Sequence, residues 1–275
     1  MNRRYERPEV KQITKQWVKE NCYNITERDI GLLRLLADRR LLRRDQIERL
    51  YKEFPSTDYL NKRLNILYRK HVIDKIYPPV GLGKGSSKQH VCLDRAGIIL
   101  LELEKYNKPI KTDKNGTKSL PLGWEHIVML NEYECRVKEF FGTIQGEVLM
   151  YNVEEPLYYN DTKIIPDIFC LIKCNGKGYL FFIEVDLGTE DIPYVKKKID
   201  SYVDYYTSRA WLQQKWAKIF KTPTFPRVLV FTENNRPKRV STLREYAMEM
   251  SVRFYIDEHD NLFKVLHNIT EGVDL

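Results

Sequence analysis

Phe181-Phe182-Ile183-Glu184-Val185-Asp186 is an apolar run broken twice by a carboxylate. Side chains alternate along a strand, so Glu184 and Asp186 share a face. Acids are seldom buried without compensation, and two on one face call for a counter-charge. A third acid, Asp167, follows Pro166 in an apolar segment, 164–172, that reads as the neighbouring strand. Asn175-Gly176-Lys177-Gly178 between them is a tight hairpin signal, and Asp167 stands about nine residues before Gly176 and Glu184 about eight after it. The three acids should therefore meet at one end of a sheet. Three oxygen ligands of that kind suit a hard cation, Mg²⁺ or Mn²⁺. Without the ion, like charges so close raise one another's pKa.

Residues 192–206 follow with Ile192, Val195, Ile199, Tyr202, Val203 and Tyr206 on one helical stripe. At about 100° per residue, Lys197 points away from that stripe, and Lys196 and Lys198 flank it on opposite sides. A flanking lysine can bend back over the sheet end, near a scissile phosphate. There it would stabilise developing charge or help position the attacking water. Other candidates have plainer readings. Glu190 at a helix start is explained by the macrodipole, and Glu132 and Glu139 fit a solvated helix face. Among Tyr202, Tyr205 and Tyr206, Tyr202 and Tyr206 already have packing roles, with a tyrosine nucleophile as the alternative.

The elements that must hold these residues are a helix over 125–141 and strands over 147–153, 164–172 and 179–186. The helix over 192–206, a strand over 227–232, a helix over 242–251 and a short strand over 253–256 complete them. Residues 158–163 read as a turn. The order α-β-β-β-α-β describes an α/β domain with helices on a sheet.

The front half differs in charge. Residues 1–120 hold 27 Lys and Arg against 15 Asp and Glu, a net of +12, whereas the whole chain carries +8. A basic module joined to a mildly acidic one suggests a polyanion-binding domain. Helices are predicted over 25–38, with Thr26 as N-cap, over 44–51, and over 57–70. Two short strands, 72–77 and 89–94, then flank a basic, Gly-rich tip. Three short helices and a β-hairpin describe a winged helix-turn-helix domain. The third helix would enter a major groove with Tyr59, Asn61, Lys62, Arg63, Asn65 and Arg69 on its outer faces, while Lys84 and Lys88 on the wing reach phosphates. A helix over 95–106 closes the domain. The expected organisation is a DNA-binding domain over 1–107, a polar linker over 108–123, and the α/β domain over 124–275.

The five cysteines, Cys22, Cys92, Cys135, Cys170 and Cys174, follow no zinc spacing; Cys170 and Cys174, on or beside one apolar segment, read as small core residues, and a reducing compartment is expected. No apolar run reaches about 18 residues, and the N-terminus lacks the apolar core of a signal peptide. A cytoplasmic protein without membrane insertion is expected.

Pro166-Asp167, Glu184-Val185-Asp186-Leu187-Gly188-Thr189-Glu190 and Lys198-Ile199-Asp200-Ser201-Tyr202, in that order, resemble the replication-relaxation proteins of mobile elements. So do the front-half helices and 126–131. These proteins are related to conjugative relaxases whose catalytic domain is similar to PD-(D/E)XK restriction endonucleases. The resemblance covers roughly 25–235. It implies a metal-dependent DNA endonuclease with catalytic Asp167, Glu184, Asp186 and Lys198, and His126 at the site's edge. Asp186 stands where many such enzymes place lysine, so the resemblance moves the lysine role to Lys198. Asp167 and Glu184 would hold the metal, with Asp186 as third ligand or water-orienting base. The expected function is nicking of one strand at an origin of a plasmid or integrative element, to start transfer or replication. The expected partners are double-stranded origin DNA and relaxosome or conjugation proteins. The alternatives are a non-catalytic DNA-binding regulator or replication accessory protein, and an interaction scaffold.

Overall fold

The structure, a computed structural model, describes residues 7–78, 87–110, 120–219 and 221–272. The chain divides into two compact units, Met1–Cys135 and Arg136–Leu275. The division falls later than the expected start at 124, inside a helix. The cause is local: Ile127 and Val128 bury with Leu41 and Ile76, and Gln46 Nε2 donates to Val128 O at 2.9 Å.

The first unit contains α1 (Lys15–Asn21), α2 (Glu27–Arg39), β1 (Leu41–Arg43), α3 (Arg44–Leu50) and α4 (Thr57–Arg69), then β2 (Ile73–Ile76), β3 (His90–Leu93), α5 (Arg95–Leu103) and the first part of α6 (Trp124–Thr143). A capping box between Thr26 and Asp29 starts α2. Its Ile30, Leu33, Leu36 and Ala37 pack with Ile47 of α3 and Leu60, Leu64 and Leu67 of α4. The three strands form an antiparallel sheet in the order β1-β3-β2, with Leu41 opposite Cys92 and Ile76 opposite His90. A Cβ added at Gly97 would lie 2.2 Å from Val72 O, so glycine lets α5 lie against that backbone. The helices and the two hairpin strands foreseen here form with ends shifted by a few residues; α1 and β1 were not foreseen. The expected wing tip lies largely outside the described residues, as do 111–119 of the expected linker.

The second unit contains the rest of α6, β4 (Glu147–Val153), β5 (Leu157–Tyr159), β6 (Thr162–Ile164), β7 (Ile168–Cys174), β8 (Lys177–Val185) and α7 (Ile192–Ser208). Two 3₁₀ turns, Ala210–Gln213 and Trp216–Lys218, follow, then β9 (Arg227–Thr232), α8 (Pro237–Ala247), β10 (Phe254–Glu258) and α9 (Leu262–Glu271). The main sheet has the order β10-β9-β8-β7-β4. The β4, β7 and β8 neighbours run antiparallel, and β8, β9 and β10 run parallel. Asn175 and Gly176 both have positive φ, as a two-residue hairpin turn requires.

Four features depart from the sequence reading, the first being α9, which was not foreseen. The predicted turn over 158–163 is a small hairpin, because Asn160 and Asp161 both take positive φ between β5 and β6. Pro166 and Asp167 precede β7 rather than lie within a strand; proline has no N–H to give to a ladder. The helix expected over 242–251 begins earlier, at Pro237, which suits a first helical turn.

On one face of the sheet, Phe169, Leu171, Leu180, Phe182, Val228 and Val230 bury against Val195, Ile199 and Tyr202 of α7 and Leu243 of α8. On the other, Phe141 of α6 meets Phe181 with ring centroids 6.5 Å apart. The five cysteines are all thiols, and among the described residues no helix is long and apolar enough to cross a membrane.

One ion pair ties α2 to α4. Arg63 Nε donates to Asp29 Oδ1 at 2.6 Å, and its Nη2 bonds Asp29 Oδ2 and Asn24 O. Asp29 is fully buried. Burial raises its pKa, but the bonds from Arg63 and Thr26 more than offset this and hold it below the usual value. Removing one partner strands a buried charge, so Arg63→Ala should cost about 3–5 kcal/mol in urea denaturation. A loss below about 1 kcal/mol, as for an exposed pair, would show that the contact does not join the helices.

Candidate active site and nucleic-acid interface

In the antiparallel register of β7 and β8, Ile168 faces Ile183, so Asp167 stands across from Glu184 one step past the last pair. Phe169 and Phe182 belong to the α7-facing core. Alternation therefore puts Asp167 and Glu184 on that same face. Asp167 Oδ2 accepts from Val185 N at 2.8 Å, so its side chain takes over a ladder bond where Pro166 ends the strand.

Glu184 is 4% exposed. Its Oε1 accepts a hydrogen bond from the Tyr202 hydroxyl. Its Oε2 lies 3.4 Å from Lys198 Nζ without a well-aligned hydrogen bond. Lys198 Nζ is also 3.4 Å from Glu190 Oε2. Helical phase thus brings Lys198 to the acids. Lys196 instead lies over the Tyr246 ring at 4.4 Å, and Lys197 is exposed.

Asp186 follows the last residue of β8, and its carboxylate turns to α8. Its Oδ2 accepts from Arg239 Nε at 2.7 Å and lies 2.6 Å from Nη2, which donates to Glu190 O, and its Oδ1 accepts from Gly188 N at 2.9 Å. His259 Nε2 lies 3.0 Å from Asp186 O, which requires that nitrogen to carry hydrogen. Glu184, Asp186, Glu190, Lys198 and Tyr202 line a cleft of about 10 Å³, room for roughly one water-sized sphere.

The electrostatics follow from burial. Desolvation first, and then the charge of Asp167, push Glu184 up to about 8; Lys198 and Tyr202 pull the other way. Burial alone would lower the Lys198 ammonium, but Glu184, Asp167 and Glu190 outweigh it and leave its pKa raised. Burial, and then the Glu184 carboxyl, raise the Tyr202 phenol well above its usual value. In this arrangement the Tyr202 hydroxyl serves as a hydrogen-bond donor to Glu184.

Asp167 and Glu184 are hard donors on one face, and a pair of carboxylates with waters completing the shell is the usual way to hold Mg²⁺. They fit such an ion. Asp186 is occupied by Arg239, and among the described residues no group of three or more His, Cys, Asp or Glu is arranged to hold a metal. Arg239, from a distant helix, had no signal in the sequence. The Tyr202 contact had one: it sits four residues after Lys198, on the stripe that Lys198 flanks. His126 is half-buried on the first turn of α6, in the first unit.

The expected DNA-contacting residues divide in two. Tyr59 is 43% exposed, and Lys62, Arg69 and, before β3, Lys88 are exposed as well. Asn61 is half-buried, and Asn65 accepts from Lys75 Nζ. Arg63, expected to face DNA, is committed to Asp29. Lys84 lies outside the described residues.

A family model described as replication-relaxation matches residues 33–220, more than half of the chain. No curated protein matches, and no solved structure matches.

The Glu184 carboxyl predicts a pH dependence. Its folded pKa lies above the unfolded one, so the folded state holds an extra proton between about pH 4.5 and about 8. The stability this proton supplies is present below that window and lost as pH rises through it. In metal-free buffer, Glu184→Gln should gain stability relative to the wild type from pH 5 to 8.5, by up to about 1.4 kcal/mol per pH unit. Parallel pH profiles would contradict the assignment.

Proposed function

The chain belongs to the replication-relaxation family, and on that premise we propose that it binds duplex DNA at an origin through its first unit and nicks one strand with Asp167, Glu184 and Lys198 of its second. The first unit reads as a winged helix, supported by the order α2-β1-α3-α4-β2-β3 and the three-stranded sheet. The second reads as a PD-(D/E)XK-like domain, supported by the order α6-β4-β7-β8-α7-β9 around a mixed sheet. The observation that carries the reading is Lys198 Nζ at 3.4 Å from Glu184, with Asp167 across the register on the same face.

Asp167 and Glu184 would hold Mg²⁺ or Mn²⁺, which supplies a Lewis acid and a water of lowered pKa when bound. Lys198, freed from Glu184, would direct its ammonium to the charge that develops on the phosphate. Asp186 acts through Arg239, fixing the loop between β8 and α7. On the DNA side, Tyr59, Lys62 and Arg69 form the exposed face of α4, and Lys88 adds a phosphate contact. A non-catalytic DNA-binding protein is the second reading, favoured by the pairing of Asp186 with Arg239.

The test is a supercoiled plasmid carrying the origin, incubated with Mg²⁺ or Mn²⁺ and scored for open circles. Asp167→Ala should abolish nicking while duplex affinity is kept. Lys198→Ala should slow it about 10- to 100-fold, and Lys197→Ala should leave it near wild type. Duplex binding without open circles would establish the second reading instead.

The interface makes its own prediction. Replacing Lys62 and Arg69 with alanine should weaken duplex binding and flatten the plot of log affinity against log salt by about 2. An unchanged slope would exclude α4 as the phosphate-contacting element.

A further inference from the structure

A second, larger cleft in the same unit, about 410 Å³ in volume, lies beside the acids and has no part in the chemistry described above. Pro166, the neighbour of Asp167, is in its wall. Its floor is apolar: Phe169, Trp216, Leu157 and Met150. Phe169 and Trp216 brace each other with ring centroids 5.3 Å apart. Its polar lining is three carboxamides, Asn152, Gln213 and Gln214, one cation, Lys215, and one carboxylate, Glu155, which accepts a hydrogen bond from Asn152 Nδ2. Gln213 and Lys215 are exposed, and Gln214 is half-buried.

That composition matches one chemical class. A volume of several hundred Å³ with an apolar floor suits a flat heterocycle with its sugar. Carboxamides carry donor and acceptor side by side, the pattern that pairs with the edge of a nucleobase. Lys215 is the one cation among the lining residues and can meet one phosphate, while Glu155 is the one anion and leaves the cleft without a net charge. The geometry relative to the acids is equally specific. Phe169 and Asp167 are two residues apart on the same face, about 7 Å along the chain, which is within the reach of one nucleotide.

Resting on the nicking reading, we propose that this cleft receives one unpaired DNA base, extruded from the strand whose adjacent phosphate lies at Asp167 and Glu184. A base inside a duplex cannot enter it, so the cleft takes melted or single-stranded DNA and fixes which phosphate is presented. Gln213 and Lys215 are positioning residues: they hold the nucleotide and do not touch the reacting atoms.

The experiment uses the full chain and a labelled single-stranded DNA pentamer, read by fluorescence anisotropy beside a duplex of mixed sequence. The double variant Gln213→Ala/Lys215→Ala, at exposed positions, should weaken pentamer binding at least about 5-fold and leave duplex binding unchanged. Met150→Trp, which fills the cleft, should do the same with a thermal midpoint near wild type. Asp167→Ala should bind the pentamer at least as tightly as wild type. If the wild type nicks plasmid and the double variant binds the pentamer as well as wild type, the base site is wrong while the nicking reading stands. If no nicking is seen but the double variant still loses the pentamer, the base site stands without the nicking reading. Equal losses for pentamer and duplex would overturn the base site, since they would mark a general charge effect.

Discussion

A carboxyl group buried beside another acid must be neutralised, and the second unit is arranged around doing so for Glu184. Three groups contribute. A proton is held because burial and Asp167 raise the Glu184 pKa to about 8. The Tyr202 hydroxyl donates to one oxygen, and the Lys198 ammonium lies beside the other. Both side chains need α7 in a single phase, with Val195 and Ile199 packed into the sheet so that Lys198 and Tyr202 arrive at the acid end. That phase depends in turn on the loop after β8. Gly188 takes a φ of 76°, and a Cβ there would lie 2.5 Å from Glu233 Oε2. The loop is tied by Asp186 to Arg239 and to Gly188 N.

A divalent cation would do the same work as the proton and the ammonium. An ion binding at Asp167 and Glu184 would displace both and leave Lys198 with its charge beside an anionic ligand. On the proposed reading, the site as it stands would be a closed form whose internal charges take the place of the cation. The first unit uses one of its cations in a similar way: Arg63 neutralises Asp29 inside the fold, and Lys62 and Arg69 are left on the outer face of α4.

Much of this was legible from periodicity. The stripe Val195, Ile199, Tyr202 alone separates Lys198 from Lys197, and alternation with the Asn175-Gly176 turn brings Asp167 across from Glu184. What periodicity lacks is partner identity between distant segments. Nothing in α4 distinguishes Arg63 from Lys62, because the deciding residue is Asp29, 34 positions earlier. Asp186 and Glu184 share a face by alternation, yet Arg239, 53 positions on, draws Asp186 aside. Short elements were missed for a related reason. Three-residue strands such as β1 and β5 carry no alternation long enough to read, and they exist only through their pairing with β3 and β6.

The central claim is that Asp167 and Glu184 form a cation site in which Lys198 and a proton stand in for the ion. Calorimetric titration of Mn²⁺ into the full chain tests it most directly. One ion should bind per chain. Binding should be lost in Asp167→Ala, kept in Asp186→Asn, and tightened in Lys198→Ala, where no ammonium competes. Binding that survives Asp167→Ala, or that weakens when Lys198 is removed, would contradict it.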